Sequence, residues 1–318
     1  MLRSRVTAPG GGVPVGLYGA NVTDQYTAGD PTTRYPQPPF PEQDQSGPGL
    51  AGEMTPKPDH GETSYRGSGR LTDRVAVVTG SDSGIGRAAA IAYAREGADV
   101  VLAHLPSEDS DAAEVVTLVE QTGRSAVDVP GNLTTEAACV ELIDAAVARF
   151  GRIDVLTIVA GEQQAIESIL DISSDHFDSV MKTNVYAMFW LIKAALPHMP
   201  PGASIITTSS VQAYQPSPNL ADYAMTKAAI NTFSKALAQQ LGAKGIRVNT
   251  VAPGPVWTPL QVSGGQPPDA RPEFGGQTPL GRPGQPAECA PAYVFLASAE
   301  SSYVSGETLA VTGGMPTP

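Results

Sequence analysis

Between Val75 and Val311 short apolar runs alternate with longer amphipathic stretches, and this alternation limits the chain to few architectures. Strands are expected at Val75–Thr79, Asp99–His104, Ser125–Pro130, Val155–Ala160, Ala203–Thr208, Arg247–Ala252 and Thr308–Val311. Helical patterns fill about 85–96, 111–122, 135–149, 175–197, 223–242 and 286–298. Apolar strands separated by amphipathic helices pair in parallel through right-handed crossovers. The fold class is therefore α/β, a Rossmann-type doubly wound parallel seven-stranded sheet with helices on both faces. The expected domain runs over 71–318.

Residues 1–70 break the pattern. Gly and Pro take 22 of these 70 positions and no apolar period is visible. The segment 35–41, Tyr-Pro-Gln-Pro-Pro-Phe-Pro, reads as extended, because proline fixes φ and lacks an N–H donor. Such a segment cannot bury enough surface to fold alone. The expectation is disorder over about 1–29 and an arm docked on the domain or a neighbouring subunit over about 30–70, with Tyr26, Tyr35, Phe40 and Tyr65 as the aromatics available for docking.

A net charge of −12 argues against nucleic acid or anionic membrane as a main partner. No run of about 18 apolar residues occurs, and the basic start is followed by no apolar stretch of a secretory signal. Cys139 and Cys289 suggest no disulfide framework and read as buried small hydrophobes. A cytoplasmic location is the expectation. His60, His104, His176 and His198 show no metal-ligand spacing, so no metal is expected.

Chemistry concentrates in two places. Directly after Val75–Val78, residues 79–86 read Thr-Gly-Ser-Asp-Ser-Gly-Ile-Gly. Gly80 permits a tight turn, and Gly84 and Gly86 remove Cβ atoms where a pyrophosphate and a packed helix approach. Ser83 and Ile85 complete the loop, and the helix behind it offers free N–H groups to phosphate. The second strand ends Ala103-His104-Leu105-Pro106, with neither the acid that favours NAD nor the base that favours NADP. Asp82, Glu108 and Asp109 weakly disfavour a 2′-phosphate, and His104 is either a contact to one or structural, so NAD versus NADP stays open at this stage.

Downstream, Tyr223 and Lys227 stand four residues apart, on one helix face, and Ser210 lies 13 residues before the tyrosine. An ammonium beside a phenol lowers its pKa and makes it a usable acid/base. A serine at a strand's carboxyl end can stabilise charge developing on a carbonyl oxygen. Ser209 is its competitor. Together the loop and this set point to hydride transfer between a nicotinamide and a carbonyl; either half alone is weaker.

Through Thr-Gly-x-x-x-Gly-x-Gly and Tyr-x-x-x-Lys the chain resembles the short-chain dehydrogenase/reductase family over about residues 70–314. The resemblance implies an NAD(P)-dependent enzyme in which Tyr223 is the acid/base, Lys227 lowers its pKa and binds the nicotinamide ribose, and Ser210 polarises the carbonyl. It implies that Asn184 anchors a relay water. Asn132 and Leu133 fall beside adenine, Ala160 and Gly161 at the close approach to the cofactor, and Pro253, Gly254, Val256 and Thr258 in the nicotinamide-side loop. The family's Asn-Asn-Ala-Gly is Ile158-Val159-Ala160-Gly161 here, which removes two asparagines. Met54-Thr-Pro-Lys-Pro-Asp-His-Gly, Tyr65-Arg-Gly-Ser-Gly-Arg-Leu71, Val211-Gln-Ala-Tyr-Gln-Pro-Ser-Pro218 and Gln261-Val-Ser-Gly-Gly-Gln266 are similar to the bacterial aldehyde reductase or glucose/ribitol-dehydrogenase-like branch. That branch implies small aldehydes, or alternatively sugars and polyols, as substrate, and a homotetramer. A non-enzymatic dinucleotide-binding regulator is disfavoured, because Ser210, Tyr223 and Lys227 are all present.

Residues 254–285 form a long connection after a strand's carboxyl end, where ligands bind in such sheets. They read as a lid, with Trp257 as a substrate contact. Gln212 and Tyr214 are either pocket-lining or core. Trp190 reads as a buried helix–helix contact.

Overall fold

The computed structural model describes residues 24–317. Strands β1 (Val75–Thr79), β2 (Asp99–His104), β3 (Ala126–Pro130), β4 (Val155–Ile158), β5 (Ser204–Thr208), β6 (Arg247–Pro253) and β7 (Thr308–Val311) form one sheet in the order β3-β2-β1-β4-β5-β6-β7. Every pairing is parallel. The helices are α1 (Gly84–Arg95), α2 (Asp109–Glu120), α3 (Glu136–Phe150), α4 (Ser174–Met181), α5 (Ala187–Ala195), α6 (Ala221–Leu241) and α7 (Pro286–Ala297).

The strand sequences are continuously apolar because both faces are covered. Side chains alternate across a strand, so Ala76 and Val78 of β1 enter one core layer with Ile91, Tyr93, Val115 and Val294 of α1, α2 and α7. Val77, between them, enters the opposite layer with Leu142, Ile143, Leu191 and Leu237 of α3, α5 and α6. The strand order reverses between β1 and β4, which opens a crevice beyond their carboxyl ends.

Two differences from the sequence reading have local causes. The helix expected over 175–197 is interrupted by a π-helical turn, Lys182–Tyr186, between α4 and α5. Its apolar stripe continues through the turn, so periodicity alone does not reveal the extra residue; the turn carries buried Asn184. The fourth strand stops at Ile158, not Ala160. The N–H groups of Val159 and Ala160 leave the ladder and donate to Thr79 Oγ1 at 3.0 and 3.1 Å. One threonine hydroxyl thus holds the strand end at which the two asparagines are missing.

The arm has almost no regular structure, and several of its backbone N–H groups donate to the domain. Phe40 N donates to Pro272 O (2.8 Å), Gln45 N to Val262 O (3.1 Å) and Ala51 N to Asp111 Oδ2 (2.6 Å). Tyr65 donates its hydroxyl to Glu96 (2.7 Å), which also pairs with Arg70. The disorder expected over 1–29 does not hold for 24–29: Gln25 and Arg66 exchange two hydrogen bonds, at 2.6 and 2.9 Å, and Asp24 O accepts from Arg34. The rest of that expectation, over 1–23, lies outside the described residues.

Candidate active site

A cleft of about 1050 Å³ opens over the carboxyl ends of the strands. One end is built by the loop between β1 and α1. Gly80 has φ +61°, a left-handed conformation that glycine adopts without penalty, and a Cβ there would lie 3.0 Å from Ala160 Cα. A Cβ on Gly86 would lie 1.9 Å from Gly80 O, so only glycine lets α1 begin against the loop. Ser83 precedes α1 without a side-chain cap, which leaves the first-turn N–H groups free for an anion. The glycine cradle and the uncapped helix start fit the pyrophosphate of a dinucleotide.

Gly80, Ser83, Gly84, Ile85, Gly86, His104, Asn132, Leu133, Ala160 and Gly161 all line this cleft. His104 is held there by two acceptors, Leu105 O (3.0 Å) and Asp128 Oδ1 (2.8 Å). Burial works against its charged form, but these two acceptors outweigh it and its pKa is raised.

The other end carries the titratable set. Tyr223 and Lys227 project from α6 into the cleft, with the Lys227 Nζ 5.3 Å from the Tyr223 ring centroid. Nζ donates to Thr208 O at 3.0 Å, which ties the ammonium to the end of β5. Ser209 and Ser210, in the next turn, both line the cleft, and Ser209 spends its hydroxyl on Lys227 O. Burial pushes the Tyr223 phenol up to about 12, and a hydrogen bond with Ser210 works in the opposite direction. Burial pushes Lys227 down to about 8. Asn184 sits behind them: its Oδ1 accepts from Glu162 N (2.8 Å), and its Nδ2 donates to Glu162 O and Thr226 Oγ1, both at 3.0 Å. A π turn is a means of aiming such a side chain inward.

The Lys227 shift has a stability consequence. The folded chain releases this proton near pH 8 and the unfolded chain near the ordinary lysine value of 10.5. Between these values the unfolded state binds more protons, so this group's penalty is fully present below pH 8 and is relieved as pH rises to 10.5. Lys227→Met is expected to stabilise the dinucleotide-free protein at pH 7 by up to about 3 kcal/mol, less whatever the Thr208 bond contributes. The gain should vanish by pH 10.5; thermal melts across this range check it, and a gain independent of pH would refute the assignment.

Pro253, Gly254, Val256 and Thr258 line the cleft beyond β6, as does Gln212. Two substrate expectations are corrected. Trp257 is 1% exposed and faces away from the cleft. The segment is extended, with Val256 bridged to Gly284, so 256 and 258 face one side and 257 the other. Trp257 stacks on Phe40 of the arm with ring centroids 4.3 Å apart and donates Nε1–H to Pro56 O at 2.8 Å. Tyr214 lies outside the cleft wall. Trp190 is half-buried, edge-on to Tyr186 at 5.7 Å.

The sequence reading missed Gly47, Pro48 and Gly49, which bring the arm into the cleft wall, and Gln163, whose Nε2 donates to Gly265 O at 2.6 Å. No periodic signal marks these positions.

The comparisons agree with this architecture. A family model described as enoyl-(acyl carrier protein) reductase matches residues 79–316. The uncharacterized oxidoreductase YghA of Escherichia coli is 57% identical over 285 residues, 90% of this chain and 97% of the relative. The chain belongs to the short-chain dehydrogenase/reductase family. A glucose and ribitol dehydrogenase homolog 2 of Arabidopsis thaliana is 42% identical over 281 residues, 86% of this chain and 96% of that protein. Among solved structures, a blue fluorescent protein from a metagenomic library, in complex with NADPH, superposes with a TM-score of 0.73 and 32% identity, covering 78% of this chain and 100% of the other. As a short-chain dehydrogenase/reductase, the protein is an NAD(P)-dependent oxidoreductase. Among the described residues no helix is long and apolar enough to cross a membrane.

Proposed function

We propose that the protein reduces the carbonyl of small aldehydes to alcohols, with Tyr223 as the proton donor. The observation that carries this reading is the set of Tyr223, Lys227 and Ser210 on one wall of a cleft whose other end is a glycine cradle. A bound nicotinamide dinucleotide supplies the hydride. Ser210 Oγ–H orients the carbonyl oxygen and stabilises the charge that develops on it. Tyr223, whose pKa burial pushes up to about 12, is protonated at neutral pH and gives its proton to that oxygen. The Lys227 ammonium favours the phenolate that this leaves. Asn184 holds its Oδ1 toward the Glu162 backbone, at the start of a polar path behind Lys227.

A second reading, oxidation of sugars or polyols, is favoured by the glutamines on the cleft wall, Gln163, Gln164, Gln212, Gln261, Gln266 and Gln277, and by similarity to the glucose and ribitol dehydrogenase homolog. The deciding assay is oxidation of NADH and NADPH against short aldehydes and aldoses, beside reduction of NAD and NADP with polyols. Higher kcat/KM for aldehydes supports the first reading, higher values for sugars or polyols the second, and no turnover on any of these substrates rejects both.

The reading includes a homotetramer. Tyr186, Phe189 and Met225 are 43%, 46% and 43% exposed on α5 and α6 and its boundary turn, an apolar surface that assembly would cover. Light scattering is expected to give four chain masses; a monomer at micromolar concentration would reject this assembly.

A further inference from the structure

The adenosine end of the cleft is lined by two carboxylates. Asp82 lies between Gly80 and Gly84, is 2% exposed, and its Oδ2 has no hydrogen-bond partner among the described residues. Glu108 follows the end of β2; its Oε2 accepts from Leu105 N at 2.8 Å, which pins the carboxylate at the cleft wall. Burial raises the pKa of both groups, and Asp82 raises that of Glu108 further, to about 7, so Glu108 is fully ionised only above neutral pH. Asp111, nearby on α2, is already engaged by Ala51 N.

Among the described residues no Lys or Arg lines this end. Lys227 is the only Lys or Arg among the described residues lining the cleft, and it sits at the catalytic end on Thr208 O. Arg87, in the first turn of α1, is taken by Glu62 at 3.1 Å and Glu114 at 2.9 Å. His104, whose pKa is raised, turns both ring nitrogens to Leu105 O and Asp128, so the charge it carries is paired there and not aimed at a ligand.

A buried carboxylate oxygen without a partner calls for a donor. A ribose hydroxyl donates. A phosphate monoester carries about −1.5 to −2 charges at neutral pH, chiefly accepts, and would meet two acidic side chains and, among the described residues, no Lys or Arg. We propose that Asp82 and Glu108 make this protein selective for NADH over NADPH, by accepting hydrogen bonds from the adenosine ribose hydroxyls and repelling a 2′-phosphate. The proposal rests on the dinucleotide reading of the cleft and departs from the NADPH complex of the structural relative. The sequence pointed to Asp82, Glu108 and Asp109 as weakly disfavouring a 2′-phosphate; of these, Asp82 in the glycine loop and Glu108 in the turn after β2 line the cleft.

Calorimetric titration of the full chain with NADH and NADPH in matched buffer tests the proposal without turnover. NADH is expected to bind at least about tenfold more tightly. Asp82→Asn, Glu108→Gln and the double variant should narrow this ratio stepwise, mainly by tightening NADPH, with melting temperatures showing that each is folded. Equal or tighter NADPH binding by the unmodified protein overturns the proposal while leaving the dinucleotide reading in place. A ratio unchanged in folded variants overturns the assignment to these two residues. Binding of neither dinucleotide at millimolar concentration overturns the reading of the cleft itself, and the proposal with it.

Discussion

Tyr223→Phe is expected to lower kcat by about 10²–10⁴-fold, the range set by loss of a positioned general acid, with little change in dinucleotide affinity. The phenol faces the cleft and the ring packs in the α6 interface, so phenylalanine keeps the packing and removes only the hydroxyl. That hydroxyl is costly to bury ionised, as its pKa of about 12 records, so the variant should melt within a few degrees of the parent protein. The effect therefore belongs in kcat, not in stability or in dinucleotide binding. Steady-state kinetics on the best substrate, with calorimetric titration of the dinucleotide alongside, separates the three. Turnover within a factor of a few of the parent would remove Tyr223 from the chemistry and leave the proposed mechanism without a proton donor.

Trp257→Ala carries the largest expected stability loss, about 3–5 kcal/mol for truncating a fully buried large aromatic. The indole belongs to a small separate core with Phe40, Met54, Val262 and Phe274. Phe40 and Met54 come from the arm, and Val262 and Phe274 from the connection after β6. Removing the indole cuts the stack on Phe40 and the bond to Pro56 O together. Trp257→Phe keeps most of the apolar contact and should cost about 1 kcal/mol through the lost hydrogen bond and the smaller ring. The arm also supplies Gly47, Pro48 and Gly49 to the cleft wall, so the alanine variant should show a raised KM for the carbonyl substrate and faster proteolysis within 30–60. Chemical denaturation and limited proteolysis check this. An alanine variant of parental stability with an altered substrate profile would instead restore Trp257 to the pocket.

Much of the site was legible because its geometry is local. Tyr223 and Lys227 share a helix face by their spacing alone. The Thr79–Gly86 loop announces its place because it lies between an apolar strand and an amphipathic helix, and its glycines are where a Cβ would collide. Lys227 reaches the end of β5, where its Nζ donates to Thr208 O two residues before Ser210, and only the packing of α6 on the sheet brings these positions to one cleft. The π turn at Asn184 was not legible, since one extra residue in a helical turn leaves the apolar stripe almost unchanged. Nor was the direction of Trp257, which depends on whether Pro255–Thr258 is extended or coiled.

The alternation of apolar runs and amphipathic stretches, read alone, determined a parallel sheet with both faces covered, because side-chain periodicity is a property of neighbouring residues. It also determined which residue types could do the chemistry. Only the tertiary structure decided where the arm lies and what it touches. The arm's polar groups bond to partners far along the chain, such as Asp59 N to Gln285 and Trp257 Nε1 to Pro56 O, and no local pattern encodes such pairs. The same holds for Asp82 and Glu108. They stand 26 residues apart in the sequence and line one wall because β1 and β2 are paired in register, Thr79 against Ala103, which brings the loops after the two strands to one edge of the cleft.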